Sequence, residues 1–385
     1  MEIGIFGGAD YQSPRMPHGW PRRPRFCEPD LARKAHADAM AMYELADDVG
    51  LDFVTVSEHH YGGPGLEPNC HVTAAALAPR MKNARIALLG PNLPMNNPVR
   101  IAEEVAQLDL LTDGKIYGVA LLRGTPNEVI TYYNNPVESR AVWEESVQLI
   151  LRAWQEPEPF GWEGVHYRYR TIAVWPKFLD AAGPRVMLSG NSLESVDFAL
   201  SLNTDIAISY GSYETVAGSI ERFNAGAAAT GRTVGPANVL YRNFVYVSET
   251  EERAREEAQR HGFGSMDFFR PPTKGAADIY QSTINSGYAK AGATQETLGK
   301  APGSWGLPKF IGTPEQVFDT IRDYHALGVG AIDFSFGGFG LPTELAKRTS
   351  SYSPKRSYPK YTNYPRPPRP PPPQPSEWAR PPGRK

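Results

Sequence analysis

The chain has 385 residues, 41% of them hydrophobic, and a formal net charge of -2. That length can bury a large core, as one α/β barrel or as two domains. The even charge gives no basis for nucleic acid or an anionic membrane as the main partner. Two cysteines, Cys27 and Cys70, exclude a disulfide framework and make a reduced cytoplasm the simpler expectation.

The N-terminus, MEIGIFGGADYQS, lacks a basic region followed by an apolar one, so no signal peptide is expected. No apolar run is long enough to span a bilayer. EIGIFGG reads as a first strand. Ala35, Ala39, Met42, Leu45 and Val49 then recur at three- and four-residue steps, the period of one helix face. LDFVTVSEHH is the next strand and RIALLGPNLP the third, its near-continuous apolar run suiting a strand covered on both faces. In the following helix Asn97 can cap, Pro98 fits the first turn and Gly114 can end it. KIYGVALLRG is strand four and ESRAVWEESVQLILRAW a long helix.

The second half repeats the rhythm with strands at RVMLSG, DIAISY, VLYRNFVYVS and AIDFSF, separated by helical segments. About eight strands alternating with helices predict parallel βαβ units, and over this length a closed (β/α)8 barrel. No Gly-x-Gly-x-x-Gly follows the first strand, which counts against a dinucleotide-binding Rossmann domain. Two segments interrupt the pattern. Phe160 to Gly183 is rich in aromatic residues, and Gly264 to Pro308 is rich in Gly, Ser and Thr. Long connections of this kind are lids, mobile segments or surface insertions. Tyr167, Tyr169 and Trp175 of the first suggest an aromatic wall near a pocket. The chain therefore divides into a barrel domain over 1–349 and a tail over 350–385. The tail has a run of four prolines and eight Lys or Arg against one Glu, a composition that cannot fold and favours extended polyproline structure. It suits a proline-binding module or is dispensable.

Three stretches could carry chemistry. Glu58, His59 and His60 end the second strand, on the face where parallel barrels hold their active sites. Adjacent strand residues point opposite ways, so the two histidines should not share one role. Acid–base catalysis, metal binding and structural hydrogen bonding are all open here. His71 is near in sequence, but no ligand spacing of a known metal motif accompanies it, so no metal is expected. Arg123, at the end of strand four in LLRGTPNE, can pair with a phosphate, or equally form a structural salt bridge. In SGNSLESV a strand turns into a helix. Asn191 and Glu194 have capping-box spacing, and the free N–H groups there, with Ser192 and Ser195, suit an anion or an ordinary cap.

Together SEHHYGGPGLEPNCHVTAAALA, NNPVRIAEEVAQLDLLTDGKI, LLRGTPNE and IGTPEQV resemble the bacterial luciferase-like flavin monooxygenases, from Met1 to about Thr349. The resemblance implies a (β/α)8 barrel with insertions, usually dimeric. It implies reduced FMN at the carboxyl ends of the strands, reacting with O2 to a C4a-hydroperoxyflavin that oxygenates a small organic substrate. A separate NAD(P)H-dependent reductase would supply the flavin. The family's catalytic histidine falls on His59 and its phosphate-binding arginine on Arg123. Its phosphate-binding helix start falls on Asn191, Ser192 and Ser195. A strained peptide under the flavin, often a non-proline cis bond, falls near Leu89 and Gly90, and the family's mobile lid on the segment after Gly264. Asn191 stands where luciferase itself has an acidic residue. Relatives using the deazaflavin F420 share the barrel, and some relatives only sequester flavin. These are the alternatives to the monooxygenase reading.

Overall fold

The computed structural model describes residues 1–11, 13, 22–61, 65–124, 128, 129, 132, 138–260 and 310–335. The strands are β1 (Glu2–Phe6), β2 (Phe53–Val56), β3 (Arg85–Asn92) and β4 (Ile116–Leu122), then β5 (Phe160–Glu163), β6 (Arg168–Ile172), β7 (Val186–Ser189), β8 (Asp205–Ser209) and β9 (Val239–Val247). β10 (Phe310–Gly312) and β11 (Ala331–Ser335) complete the set. Eight of them form one closed parallel ring in the order β1-β2-β3-β4-β7-β8-β9-β11, with β11 returning to β1. The (β/α)8 expectation is met, and every segment read as a barrel strand is one. The last three residues of β9 pair with β10, an extra parallel strand joined to that end alone.

The helices are α1 (Pro29–Asp48), α2 (Cys70–Leu77), α3 (Pro98–Leu111), α4 (Ser139–Gln155), α5 (Leu193–Ser201), α6 (Tyr213–Ala229), α7 (Glu251–Arg260) and α8 (Pro314–Leu327). Local chemistry sets their ends. The Asn97 side chain accepts from Val99 N–H and Arg100 N–H at the start of α3, with Pro98 in its first turn. Thr313 and Gln316 form a reciprocal capping box on α8, and Gly328 (φ 115°) ends it in the left-handed conformation that glycine adopts without strain. On α1, Ala35, Ala39 and Met42 are buried as their spacing predicts. Among the described residues no helix is long and apolar enough to cross a membrane.

Strand alternation divides the apolar side chains into two cores. The larger lies between strands and helices. The smaller fills the barrel with Phe53, Ala87, Leu89, Tyr117, Met187, Ala207, Leu240 and Ala331 among others. Below it, at the amino ends of the strands, Glu2, Tyr117, Arg185 and Asp205 form a polar plug. Tyr117 donates to Glu2 at 2.7 Å, and Arg185 donates to Asp205 at 2.7 Å and to the Tyr117 hydroxyl at 2.8 Å. Among the described residues this plug fills the amino end of the barrel interior. A cavity of about 400 Å³ lined by Asn224, Ala228, Arg232 and Gly328 lies against helix ends and the loop before β9, far from the strand carboxyl ends.

The aromatic segment after Phe160 is an antiparallel hairpin, β5–β6, outside the ring. Glu145 of α4 latches it. Its carboxylate accepts from Trp162 Nε1 and from the backbone N–H groups of Val165, His166 and Tyr167, at 2.8–3.1 Å. The aromatic wall is a correction: Tyr167 bonds Ser146 of α4 and stacks on Tyr169, while Trp175 is 81% exposed. An aromatic side chain packs on whatever apolar surface its element crosses, and here that is the helical layer. The segment expected to be a lid, Gly264 to Pro308, and the tail from 350 lie outside the described residues.

Candidate active site

Residues 57–60 continue past the end of β2 on the carboxyl rim of the barrel. Their side chains alternate, as strand geometry requires. Glu58 and His60 turn into the wall and are buried; His59 keeps 22% of its side chain exposed. The two histidines are thus in different surroundings. The His60 ring is used at both nitrogens: Nε2 lies 3.3 Å from Glu58 Oε1, and Nδ1 lies 3.1 Å from the Tyr132 hydroxyl. Glu58 Oε1 also accepts from Asn96 Nδ2 at 2.9 Å. His60 is a wall residue.

His59 has one nitrogen held and one open. Its Nδ1 lies 3.2 and 3.4 Å from the two carboxylate oxygens of Glu128, which is buried and also accepts from the His60 backbone N–H at 2.8 Å. A carboxylate only accepts, so Nδ1 carries the ring proton of the neutral imidazole. Nε2 is then the basic nitrogen, and among the described residues it has no hydrogen-bond partner. This is the arrangement that fixes a ring and its tautomer for acid–base work. His59 N–H donates to Glu67 O at 3.0 Å, which pins the backbone as well.

Leu89 lies within β3 and packs in the barrel interior; Gly90 follows it. The cis bond expected at this point is corrected: the cis peptide found among the described residues is Trp175–Pro176. Gly90 instead takes φ 133°, and a Cβ there would come within 3.1 Å of Glu58 N. The close approach of β3 to β2 selects glycine here and needs no cis bond. The Cys70 thiol donates to Gly90 O at 2.8 Å, and burial pushes that thiol's pKa well up.

Arg123 follows β4 directly and is half-buried. At the end of β7, the cap of α5 is Ser192, whose hydroxyl accepts from Ser195 N–H at 3.3 Å, so the expected Asn191–Glu194 box is a correction. Asn191 is occupied elsewhere: its amide donates to Ser209 O at 2.6 Å and accepts from Ser209 N–H at 3.1 Å, tying β7 to β8. Two hydrogen bonds to one backbone residue outweigh one cap. The backbone N–H groups of Ser192, Leu193 and Glu194 have no partner among the described residues, and these three residues are exposed. They form an anion-accepting helix start. Arg140 of α4, which reaches Glu194 at 2.9 Å, brings a cation beside it that the sequence pattern did not signal.

His59, Gly90, Arg123 and Ser192 therefore stand at the carboxyl ends of β2, β3, β4 and β7, four consecutive staves of the ring. The sequence reading did not single out Glu67. It is 3% exposed, its Oε1 is buried with no hydrogen-bond partner, and burial pushes its carboxyl up to about 7, against a smaller pull down from Ala9 N–H. Its signal in the sequence is weak, a carboxylate in a loop that closes back on the first strand.

Among the described residues no group of three His, Cys, Asp or Glu side chains gathers as metal ligands. The arrangement offers one basic nitrogen at the rim and an anion cradle two to three strands away. A phosphate-bearing cofactor whose reactive end reaches His59 would fit it.

Residues 16–331 match the family model described as luciferase-like monooxygenase. The alkanal monooxygenase alpha chain of Aliivibrio fischeri is 24% identical over 77% of this chain and 85% of its own length. The oxygenase component of flavin-dependent trigonelline monooxygenase from Acinetobacter baylyi is 20% identical over 80% and 86%. Among solved structures, the oxygenating constituent of 3,6-diketocamphane monooxygenase of Pseudomonas putida, in complex with FMN, superposes with a TM-score of 0.67 at 18% identity, over 91% of this chain and 96% of that one. An F420-dependent secondary alcohol dehydrogenase gives 0.65 at 15% identity, over 92% and 98%. At these identities the superpositions speak for the fold.

Proposed function

The chain belongs to the luciferase-like monooxygenase family and is an oxidoreductase of that kind, and from that premise we propose that it is an FMN-dependent monooxygenase. In this reading a separate NAD(P)H-dependent reductase delivers reduced flavin, and a small organic substrate is oxygenated with O2. The observation that carries it is His59, with Nδ1 on the buried Glu128 and Nε2 open at the barrel mouth. The trigonelline relative is named as an oxygenase component, which supports a partner reductase here. Bound reduced flavin would supply the activation of O2, as a C4a-hydroperoxide. The chain's own residues do the rest. The N–H groups at the start of α5, with Arg123, hold the phosphate. Leu89 and Gly90 form the floor at β3, and Asn191 and Ser195 shape the cradle. His59 Nε2 accepts or returns the proton that moves during oxygen transfer. The protein would act in the reducing cytoplasm, where Cys27 and Cys70 stay unpaired, and as a homodimer, for which Val72, Leu110 and Leu111 offer exposed apolar surface.

The test mixes the purified protein with photoreduced FMN and then with oxygen. A long-lived C4a-adduct spectrum supports the reading. Immediate reoxidation at the rate of free flavin sinks it, and turnover with F420 in place of FMN would move the protein to the hydride-transfer branch. The phosphate assignment has its own check. Arg123→Ala should cost roughly 1.5–3 kcal/mol of FMN binding, about 10- to 150-fold, and leave riboflavin binding unchanged.

A further inference from the structure

Inside the barrel mouth sits an ion pair that the reading above does not use. Arg242 points inward from β9, one inward position above Leu240. Its Nε and Nη2 donate to Asp333 Oδ2 of β11 at 2.9 and 2.7 Å. Its guanidinium carbon lies 3.8 Å from the centre of the Phe6 ring of β1. Arg242 is 7% exposed and Asp333 is fully buried. A buried pair returns little net stability once both charges are stripped of water, and the layer beneath it shows that apolar side chains fill this barrel well.

The pair is also lopsided. Both donors meet one carboxylate oxygen. Asp333 Oδ1 and Thr55 Oγ1 are sealed from solvent beside each other, and burial raises the Asp333 carboxyl against the pull of Arg242 and of the Thr55 hydroxyl. Arg242 Nη1 has no partner among the described residues, and it is not sealed. The apolar layer closes the barrel below, so Nη1 opens toward the carboxyl mouth. The titratable groups around the guanidinium are Asp333, Tyr210 after β8 and Tyr43 on α1. Burial pushes both tyrosines up, Tyr210 to about 12, so neither is a competing anion at neutral pH.

Placement says what the cation could meet. The guanidinium rests between β11 and β1, across the ring from β4 and β7, which carry Arg123 and the start of α5. A molecule whose phosphate lies at α5 and that spans the mouth brings its far end over Arg242. We propose, resting on the flavin reading above, that Arg242 is a cofactor-binding residue. It faces the ring end of the flavin and holds the negative charge the ring carries when reduced. The oxidised ring is neutral, whereas the two-electron-reduced ring is largely an anion at neutral pH, and charge near its N1 is how a protein separates the two. An oxygenase supplied with reduced flavin from elsewhere gains from that preference.

The experiment measures dissociation constants for oxidised and photoreduced FMN, without oxygen. It compares the unaltered protein with the double variant Arg242→Gln, Asp333→Asn, which removes both charges together. The unaltered protein should bind reduced FMN at least about tenfold more tightly than oxidised FMN. The folded double variant should lose that preference while keeping oxidised affinity within about threefold. A second measurement needs no variant: reduced FMN bound to the unaltered protein should keep the anion's spectrum at an acidity where free reduced FMN is protonated. An equal preference in the folded variant, or a neutral-ring spectrum in the unaltered protein, overturns the assignment. A variant that keeps the preference and loses only substrate affinity overturns it too, and gives the cation to the substrate. Binding of neither form of FMN to the unaltered protein would remove the flavin reading itself, which is a different result from binding without preference.

Discussion

At the scale of single residues, the two neighbouring histidines should part company. A positioned acid or base contributes about 10²- to 10⁴-fold. His59→Ala should cut substrate oxygenation by about that factor, leave FMN affinity within about threefold, and divert reduced flavin to hydrogen peroxide. Counting product and peroxide together checks this. Coupled, near-normal turnover in His59→Ala would return the motif to a structural role. His60→Ala should act on stability instead, because its ring bonds are spent on Glu58 and Tyr132. Glu67 makes a pH prediction. Its folded carboxyl sits near 7 against an ordinary 4.5, because burial disfavours the charge. A raised folded value means the folded chain holds a proton that the unfolded chain releases. The contribution is therefore full below about pH 4.5 and is lost as pH rises through 7, a change of about 3 kcal/mol. Glu67→Gln, neutral throughout, should gain that much over the unaltered protein between pH 4 and pH 8.5 in denaturant titrations. Parallel pH profiles would show that Glu67 is not buried as described. His59 itself was legible in the sequence, as a polar group ending a buried strand. Glu128, 69 residues away, was not legible as its partner, because nothing local to either residue encodes a contact made only when β2, β3 and β4 lie side by side.

Elements were the most readable level. Eight barrel strands follow from apolar runs punctuated by turn residues, and the start of α3 follows from Asn97 and Pro98. What escaped was where each element's side chains are spent. The Asn191–Glu194 spacing suits a cap, yet Asn191 bonds the backbone of β8, a strand whose distance from it in space the spacing does not carry. The β5–β6 hairpin escaped likewise, since its aromatic residues suit a pocket wall and a packed exterior equally. Its attachment is testable. Glu145 gathers four donors from the hairpin, so Glu145→Ala should free them to water. With hydrogen bonds to a charged acceptor worth roughly 1.5–3 kcal/mol, amide exchange at Val165, His166 and Tyr167 should quicken about 10- to 150-fold. Barrel strands should keep their protection. Uniform loss of protection across the barrel would mean that the latch supports the whole fold.

For the molecule as a whole, the proline-rich segment should be separable from the barrel. The ring is complete at Ser335, and the family match ends at residue 331. A chain ended at Ser350 should melt within a few degrees of the full chain and bind FMN equally; insolubility on truncation would show that the segment packs on the barrel. The pairing of β1 with β11 has a further consequence, which concerns synthesis. Glu2 meets Ala331, so the partner of the first strand is made after every other stave of the ring. At about 5–20 residues per second, some 15–65 s separate the two. During that time β1 to β4 and then β7 to β9 are a nascent open sheet with one edge of β1 bare, and an unpaired parallel edge invites the wrong neighbour. The staves bearing His59, Gly90, Arg123 and Ser192 all exist before the barrel shuts, whereas Arg242 and Asp333 arrive with its final strands. A flavin could therefore meet its phosphate cradle on the growing chain, but the charged far side of the mouth would be in place only once translation had passed β11.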